Sequence, residues 1–315
     1  MVAIPTSLLA FFNFLETPIK QEQSSPNVKS LKAWYKSQSL PPEMITTPDL
    51  PLLENELHQV GKQKNKTYAR AYEKVIPRWK KFAVTATPVS NKPMIAIVID
   101  DMGIDLKRSA IAIGLKAPLT LSFLTYAKDL KVQTERARIK GHELLLHVSM
   151  EPSSPKVDPG PNALLINLSE HEILRRLDWG FSRFSNYVGL NNHMGSKFTS
   201  DSKAMRIVIE ETKRRGLLFL DSRTSGKSVG AKLARELGVP VVERDIFLDN
   251  ENNINAVNAQ LAQVEKIARQ VGKVVAIGHP RDTTIKALNI WLKSIESKGF
   301  QLVPLTAIVK KNGHF

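Results

Sequence analysis

The chain has 315 residues, 42% hydrophobic and 24% charged, so it can bury a sizeable core in one large domain or two small ones. It contains no cysteine, which excludes disulfides, thiolate metal sites and a cysteine nucleophile. Lys and Arg outnumber Asp and Glu by 45 to 30, a formal charge of +15. Such a charge attracts nucleic acid, anionic lipid or acidic polymers, but it identifies no partner by itself.

The first 90 residues have the composition of a leader and a linker. Residues 8–15 are apolar but fall short of the roughly 20 residues needed to span a bilayer. Neither a basic stretch before them nor a small-residue cleavage site after them is clear. We therefore interpret residues 1–20 as a degenerate signal or an apolar anchor that could contact a membrane surface. Residues 21–90 are rich in Pro, Ser and charge, which predicts a mostly unstructured linker with one amphipathic helix near 66–82.

Part of the positive charge is concentrated in residues 61–81, which contain eight Lys or Arg and one acid, Glu73. No recognisable nucleic-acid-binding module surrounds this segment. We therefore expect a solvated or envelope-facing basic segment and no specific nucleic-acid partner. Nucleic-acid binding is one possible function of the chain, but only the net charge supports it.

From Lys92 onward, apolar runs alternate with amphipathic helical segments. Eight strands are predicted, at residues 94–99, 119–124, 143–148, 186–190, 217–220, 239–242, 273–277 and 301–305. Helices are predicted between them, at residues 128–140, 169–185, 201–215, 228–237, 254–271 and 283–298. Ser169 and Asp201 stand where N-caps belong. Four glycines stand just past helical segments, as C′ glycines do: Gly216, Gly238, Gly272 and Gly299.

Repeated strand–helix units predict a parallel α/β architecture. Eight strands in residues 91–315 fit a βα barrel of roughly 250 residues better than an open sheet. A doubly wound sheet is the alternative. In a βα barrel, the active site is built at the carboxyl ends of the strands, so the residues that follow each strand are the candidates for chemistry.

The strand at 94–99 is followed by two adjacent carboxylates, Asp100 and Asp101. They could begin a turn and cap the next helix. Paired carboxylates at the end of a buried strand are also costly to desolvate unless a metal ion or a proton transfer uses them. The other strand ends decide between these interpretations, because His147, His193 and His279 also fall there.

Each histidine alone is more often a core or loop residue, but three at one rim indicate a shared site. Two imidazoles and a carboxylate can hold a divalent ion with a position left for water. A second carboxylate can accept the water's proton, and a further histidine can protonate a leaving group. This set suits hydrolysis of an amide or an ester.

Residues 97–103 resemble the opening motif of the polysaccharide deacetylases, the NodB-type carbohydrate esterases. This resemblance implies that Asp100 is the catalytic base and Asp101 a metal ligand. Residues 141–147 resemble the segment that carries the first metal histidine, here His147. Residues 219–222 resemble a motif whose aspartate, here Asp221, orients the catalytic histidine. Residues 275–279 resemble the motif that supplies that histidine, here His279.

The divergent, YibQ-like branch of the family matches best. Its signatures His-x-x-Met-Glu-Pro, Asn-Asn-His-Met-Gly-Ser, Asp-Ser-Arg-Thr and Gly-His-Pro stand at residues 147–152, 191–196, 221–224 and 278–280. The resemblance covers residues 94–309 and implies an irregular (β/α) barrel of the glycoside hydrolase/deacetylase type. It also implies a metal-dependent hydrolase that acts on acetylated polysaccharide or a peptidoglycan-like glycan. Family members generally carry export signals, which implies a periplasmic or envelope location.

Two departures from the family pattern affect the site. Glu151 stands where a second metal histidine is usual, and residues 192–195 replace the Arg-x-Pro-Tyr loop that donates an oxyanion contact. We predict that Asp101, His147 and His193 hold Zn²⁺ or another divalent ion, with Glu151 as a fourth ligand or as a partner of the ligands. The oxyanion contact would then come from a backbone N–H or from the metal.

Four further strand-end residues are candidates for substrate contact. Two of them, Arg244 and Asp245, could contact substrate or form a rim ion network, as could Asp249. The other two are Asn192 and Ser222. The departures also leave open a different class of protein, a catalytically inactive glycan-binding or scaffold protein of the envelope. The sequence predicts no oligomeric state.

Overall fold

A computed structural model describes residues 76–86, 89 and 91–311. The predicted anchor at 1–20 and most of the predicted linker at 21–90 lie outside the described residues. Nine strands form one sheet in the described part: β1 Met94–Met102, β2 Thr120–Leu124, β3 Glu143–Met150, β4 Gly189–Met194, β5 Leu218–Asp221, β6 Val241–Glu243, β7 Ile246–Phe247, β8 Lys273–Gly278 and β9 Gln301–Leu302.

The strand order shows a barrel that is open on one side. The order is β6-β5-β4-β3-β2-β1-β8-β7, with β9 beside the start of β1, and every pairing is parallel. Consecutive strands are neighbours across most of the sheet, as in a βα barrel and unlike a doubly wound sheet. Within the described residues no ladder joins β6 to β7. The prediction of an irregular barrel is therefore confirmed.

Strand β1 shows why the barrel strands read as continuous apolar runs. Ile95, Ile97 and Ile99 belong to the core between the sheet and the surrounding helices. The alternate residues Met94, Ala96 and Val98 belong to a second core, inside the barrel. Because successive side chains point to opposite faces of a strand, a strand buried on both faces must be apolar throughout.

The described helices cover the outside of the sheet. They are α1 Arg78–Lys81, α2 Leu106–Ile113, α3 Leu130–Ile139, α4 Glu170–Phe181, α5 Ser202–Arg214, α6 Gly230–Glu236, α7 Ile254–Val271, α8 Asp282–Ser294 and α9 Leu305–Lys311. Among the helices of the described part, none combines the length and apolar character needed to cross a bilayer.

The predicted helix ends are confirmed. The Ser169 side chain accepts a hydrogen bond from the Glu172 N–H, and Asp201 accepts one from the Ala204 N–H. The four glycines predicted at C′ all have positive φ, between 63° and 86°. Short elements were missed: α2, the two-residue β7, and α9, which follows a predicted strand.

Helix α9 closes the amino-terminal end of the barrel. Five of its residues, 305–309, are nearly or completely buried, and most belong to the core inside the barrel. Its Thr306 donates hydrogen bonds from N and Oγ1 to the buried Glu143 carboxylate, at 3.0 and 2.6 Å. Burial raises the pKa of Glu143 despite these hydrogen bonds.

The packed unit extends to the amino-terminal side of the predicted domain start at residue 91. Trp79 in α1 is 2% exposed and belongs to the inner core, with Phe82 and Ala86 packed against it. The Trp79 N–H donates to the Gly216 carbonyl at 3.0 Å. The last part of the predicted linker therefore covers the amino-terminal end of the barrel.

Candidate metal centre and active site

The two adjacent carboxylates meet at the barrel mouth because the end of β1 is irregular. The pairing of β1 with β2 shifts between Ile99 and Met102, and Asp101 has a φ of 56°. In a regular strand, neighbouring side chains face opposite sides. Here the bulge turns both carboxylates toward His147, whose Nε2 lies 3.6 Å from Asp100 Oδ2 and 3.2 Å from Asp101 Oδ1.

The structure brings together the three residues predicted as metal ligands. His193 Nδ1 lies 2.8 Å from Asp101 Oδ1, and the His147 and His193 rings are 5.0 Å apart. One donor atom from each of Asp101, His147 and His193 lies within 4.8 Å of the other two. His147 comes from β3 and His193 from β4, which are neighbouring strands.

These donors fit a divalent cation. Asp101 Oδ1 is buried and accepts no hydrogen bond in the described part of the chain, although two imidazole nitrogens approach it. Three ligand atoms around a tetrahedral zinc ion are about 3.3–3.6 Å apart when the bonds are about 2.0–2.2 Å long. The 3.2 Å separation is close to that range, and the 2.8 Å separation is about 0.5 Å shorter. One carboxylate and two imidazoles also match the donor types of catalytic zinc sites.

Electrostatics favour charged groups in this cluster. Burial by itself would raise the pKa of Asp101, but the nearby His147 and His193 rings hold it well below its usual range. Burial would likewise lower the pKa of His147, and the charges of Asp100 and Asp101 raise it instead. A cation that replaced the histidine protons would compensate the same carboxylates.

Asp100 lies below the three ligands and is 3% exposed. Asn191 Nδ2 donates to its Oδ1 and Oδ2 at 2.9 and 3.1 Å. Burial raises the pKa of Asp100, and the charges of His147 and His279 oppose that rise. A buried carboxylate with a raised pKa is a better proton acceptor than an exposed one, as a general base requires.

His279 lies at the same rim, with its Nε2 3.8 Å from Asp101 Oδ2. Its Nδ1 lies 2.9 Å from Asp249 Oδ1, and its backbone N–H donates to Asp249 Oδ2 at 2.7 Å. Burial would lower the pKa of His279, but the hydrogen bond and charge of Asp249 raise it. Asp249 therefore orients His279 and favours its protonated form.

The expectation that Asp221 orients His279 is wrong. Asp221 Oδ2 accepts hydrogen bonds from Ser228 Oγ and the Ala231 N–H, at 2.7 and 3.2 Å. Its Oδ1 accepts one from the Arg223 N–H at 2.9 Å. Asp221 thus fixes the turn from β5 into α6. Asp249 follows β7, a strand too short to be predicted, so its position could not be assigned from the sequence.

The prediction of Glu151 as a fourth ligand is also wrong. Glu151 Oε1 pairs with Lys197 Nζ at 2.6 Å, and its Oε2 accepts the Ile166 N–H at 2.8 Å. No hydrogen bond or ion pair within the described residues joins it to the three ligands. Glu151 instead connects the loop after β3 to the loop after β4.

The four predicted substrate residues lie behind the rim. Asn192 Oδ1 accepts the Ser222 N–H at 3.0 Å, so these two residues join the ends of β4 and β5. Arg244 donates to the carbonyls of Ser222 and Arg223 and lies over the Phe247 ring. Asp245 accepts the Val275 N–H at 2.8 Å. Each of the four holds the scaffold.

A groove of about 590 Å³ opens above the three ligands. Asp101, His193 and His279 form part of its floor and wall, and none of the four predicted substrate residues lines it. Its other lining residues include Tyr126, Asn252 and the bidentate ion pair between Arg108 and Asp282. These groove residues were not predicted, because they lie in loops and first helical turns.

Comparison with known proteins identifies the family. A family model described as divergent polysaccharide deacetylase matches residues 97–309. The chain belongs to the divergent polysaccharide deacetylase family. The resemblance inferred from the motifs is therefore confirmed.

Several relatives of this deacetylase-family chain are similar over the barrel. An uncharacterized protein of Haemophilus influenzae is 35% identical over 202 residues, which are 64% of this chain and 71% of that protein. The uncharacterized protein YibQ of Escherichia coli is 34% identical over 194 residues, 62% of this chain and 60% of YibQ. The crystal structure of the uncharacterized protein ATU2773 from Agrobacterium tumefaciens is 28% identical, with a TM-score of 0.72 over 74% of this chain and 95% of that one.

Proposed function

We propose that this chain is a metal-dependent hydrolase that removes acetyl groups from an acetylated polysaccharide. The observation that carries the proposal is the meeting of Asp101, His147 and His193 around one point. Asp100 lies beside this point, and the His279–Asp249 pair flanks it. Family membership supports a polysaccharide substrate, and the groove above the ligands gives it a place to bind.

Each residue has a role that its surroundings allow. A divalent cation, zinc by the donor set, would supply Lewis-acid activation of water and of the acetyl carbonyl. Asp100 accepts the proton of the attacking water, because its buried carboxylate has a raised pKa. His279, protonated and oriented by Asp249, donates a proton to the leaving nitrogen or oxygen of the sugar.

The substrate and the location follow from the same argument. An N- or O-acetylated glycan, such as a peptidoglycan-like polymer, supplies the amide or ester that this set of residues can cleave. The bacterial cell envelope is where such a glycan occurs, so we place the protein there. A contact of residues 1–20 with the membrane surface belongs to the same proposal, although those residues lie outside the described part.

Acetate release tests the activity. Zinc-loaded wild-type protein and Asp100→Asn are incubated with N-acetylated glucosamine oligosaccharides, and acetate is measured. We expect release by the wild type and a loss of about 100- to 10,000-fold in Asp100→Asn, the usual contribution of a general base. Acetate release equal in the two proteins would contradict the assignment of Asp100.

A second function, glycan binding without turnover, is favoured by one observation. The ligand position that the family gives to a second histidine is held by Glu151, which pairs with Lys197 and does not join the cluster. A glycan-binding or scaffold protein would bind the oligosaccharides and release no acetate. Binding measured by calorimetry beside the acetate assay distinguishes the two functions.

A further inference from the structure

Asn191 occupies the centre of the polar network below the cation site. It is completely buried and is the register partner of His147 across β3 and β4. Its Nδ2 donates to both oxygens of Asp100 and to Ser222 Oγ, at 2.9, 3.1 and 3.0 Å. Its Oδ1 lies 2.5 Å from Ser122 Oγ and 2.9 Å from His147 Nδ1.

The orientation of this amide follows from its neighbours. The carboxylate oxygens of Asp100 accept hydrogen bonds, so the amide nitrogen must face Asp100 and the amide oxygen must face Ser122 and His147. An amide oxygen can only accept. The neutral His147 ring must therefore carry its hydrogen on Nδ1, which leaves a lone pair on Nε2. That Nε2 is the atom 3.2 Å from Asp101 Oδ1.

We propose that Asn191 is a positioning residue: it holds His147 in the Nδ1–H tautomer that can bind a cation and fixes Asp100 beside it. The inference rests on the cation site of the proposed function and is independent of the acetylated substrate. A single side chain thus connects the base to a ligand, with its nitrogen on Asp100 and its oxygen on His147. A side chain that only donates or only accepts could make one of these contacts but not both.

The physical consequence concerns the ring of His147. Without an acceptor at Nδ1, the ring gains more by placing its hydrogen on Nε2, where Asp101 Oδ1 can accept it. A ring in that tautomer offers no lone pair toward the cation. Loss of a partner that orients a ligand typically weakens metal binding about 10- to 100-fold.

Nitrogen NMR of the imidazole rings tests the tautomer directly. Spectra of the metal-free wild type are recorded in alkaline buffer in which the His147 signals no longer change with pH, and His147→Gln assigns them. We expect the Nδ1–H tautomer in the wild type. Asn191→Leu removes the acceptor and should shift His147 toward the Nε2–H tautomer. Asn191→Asp keeps an acceptor at this position and should retain the wild-type tautomer.

Zinc affinity gives a second measurement that does not depend on turnover. Titration against a chromophoric chelator should show binding about 10- to 100-fold weaker in Asn191→Leu than in the wild type. Thr134→Val is the control for removal of a buried polar group, because its hydroxyl bonds only to carbonyls of its own helix, α3. This variant should bind zinc as the wild type does.

Two results would overturn the inference. One is an Nε2–H tautomer of His147 in the wild type, a measurement that remains decisive even if Asn191→Leu fails to fold. The other is an Asn191→Leu protein with wild-type tautomer and wild-type zinc affinity. Failure of the proposed function is a different result: the wild type would bind zinc and show the Nδ1–H tautomer but release no acetate.

Discussion

At the residue scale, two buried aspartates at the ends of different strands, Asp221 at the end of β5 and Asp249 after β7, have different partners. Asp249 contacts both the ring and the backbone of His279, whereas Asp221 contacts only its own turn. Both are 1% exposed. Burial therefore does not distinguish the residue that orients His279 from the one that holds the scaffold. The partners of their hydrogen bonds distinguish them.

This difference predicts unequal effects of the two amide substitutions. Asp249→Asn should lower kcat by at least about tenfold, because a general acid contributes about 100- to 10,000-fold and loses its orientation here. Asp221→Asn should lower the melting temperature and should change kcat per folded molecule less than Asp249→Asn does. Steady-state acetate kinetics and thermal unfolding check the pair. A larger fall in kcat for Asp221→Asn would restore the role implied by the motif.

Tyr126 gives a prediction about the groove. Burial and the negative charges of Asp101 and Asp158 raise the pKa of Tyr126, so its hydroxyl stays neutral and can donate. Within the described residues that hydroxyl forms no hydrogen bond. It is thus available to a substrate. Tyr126→Phe should raise KM for acetylated oligosaccharides about two- to tenfold, the value of one hydrogen bond, with a smaller effect on kcat.

A substitution at Gly160 gives a second test of whether Tyr126 contacts the substrate in the groove. A Cβ at Gly160 would lie 2.9–3.2 Å from atoms of the Tyr126 ring, and φ is +86°. Gly160→Ala should therefore displace the ring and raise KM. Gly238→Ala is the matched control, because Gly238 also has a positive φ, +70°, and nothing lies within 4 Å of its added Cβ. Equal KM values for the two alanine variants would show that Tyr126 does not contact the substrate.

The sequence predicted which histidines and carboxylates lie together at the candidate site, but not the residues that hold them in place. His147, His193 and His279 were found because histidine at a strand end is unusual. Asn191 stands at a predicted strand end, but the sequence does not show that it lies opposite His147, because that depends on the β3–β4 register. Glu151 was misassigned because the sequence does not show that Lys197, on another loop, lies within ion-pair distance.

At the element scale, helix α9 stabilises the barrel through a buried polar contact. Thr306→Val removes the 2.6 Å hydrogen bond from Oγ1 to Glu143 Oε2 and keeps the shape of the side chain. The remaining contact of that oxygen is the Val84 N–H at 3.3 Å. We expect a loss of about 1–3 kcal/mol in the free energy of unfolding, measured by denaturant titration.

Thr134→Val is the control for this prediction as well. Its hydroxyl donates to the Leu130 carbonyl within α3, a group that belongs to the helix ladder, so its removal leaves no buried charge without a partner. A Thr306→Val protein no less stable than Thr134→Val would show that α9 is held by apolar packing alone.

Helix α4 gives a pH-dependent prediction. Hydrogen bonds from Arg175 and Arg176 lower the pKa of Glu172 from 4.5 to about 2. Because the pKa is lower in the folded state, the contribution is complete above pH 4.5 and is lost as the pH falls toward 2. Glu172→Gln should lower the melting temperature at neutral pH, and the difference from wild type should shrink over that range.

Glu170→Gln is the matched control in the same helical turn. Glu170 forms no ion pair in the described part of the chain, so its variant should show no such pH-dependent difference. A Glu172→Gln difference that stays constant from neutral to acidic pH would contradict the ion-pair explanation.

Long elements were predictable and short ones were not. The helix over 254–271 is confirmed at both ends because Asn253 caps it and Gly272 ends it with a φ of 80°. Strand β7 has two residues, too few to show a period, and α9 begins in an apolar segment where strand and helix patterns coincide. Both depend on tertiary contacts, β7 on β8 and α9 on the barrel interior.

At the scale of the whole molecule, the barrel separates stability from chemistry. Its amino-terminal end is closed by α9, Glu143 and the Trp79 segment, and its carboxyl end presents carboxylates and imidazoles. The strands contribute to both ends, because inward-facing side chains change from apolar to polar toward the mouth. On β3, for example, Leu145 is followed by His147 on the same face. Sequence order alone therefore predicted at which end the candidate site residues would lie.

The central claim is that Asp101, His147 and His193 share one divalent cation. Crystals grown with Zn²⁺ and measured at the zinc absorption edge test it most directly. We predict one strong anomalous peak about 2.0–2.2 Å from Asp101 Oδ1, His147 Nε2 and His193 Nδ1. A zinc-containing crystal with no anomalous peak between these three atoms would contradict it.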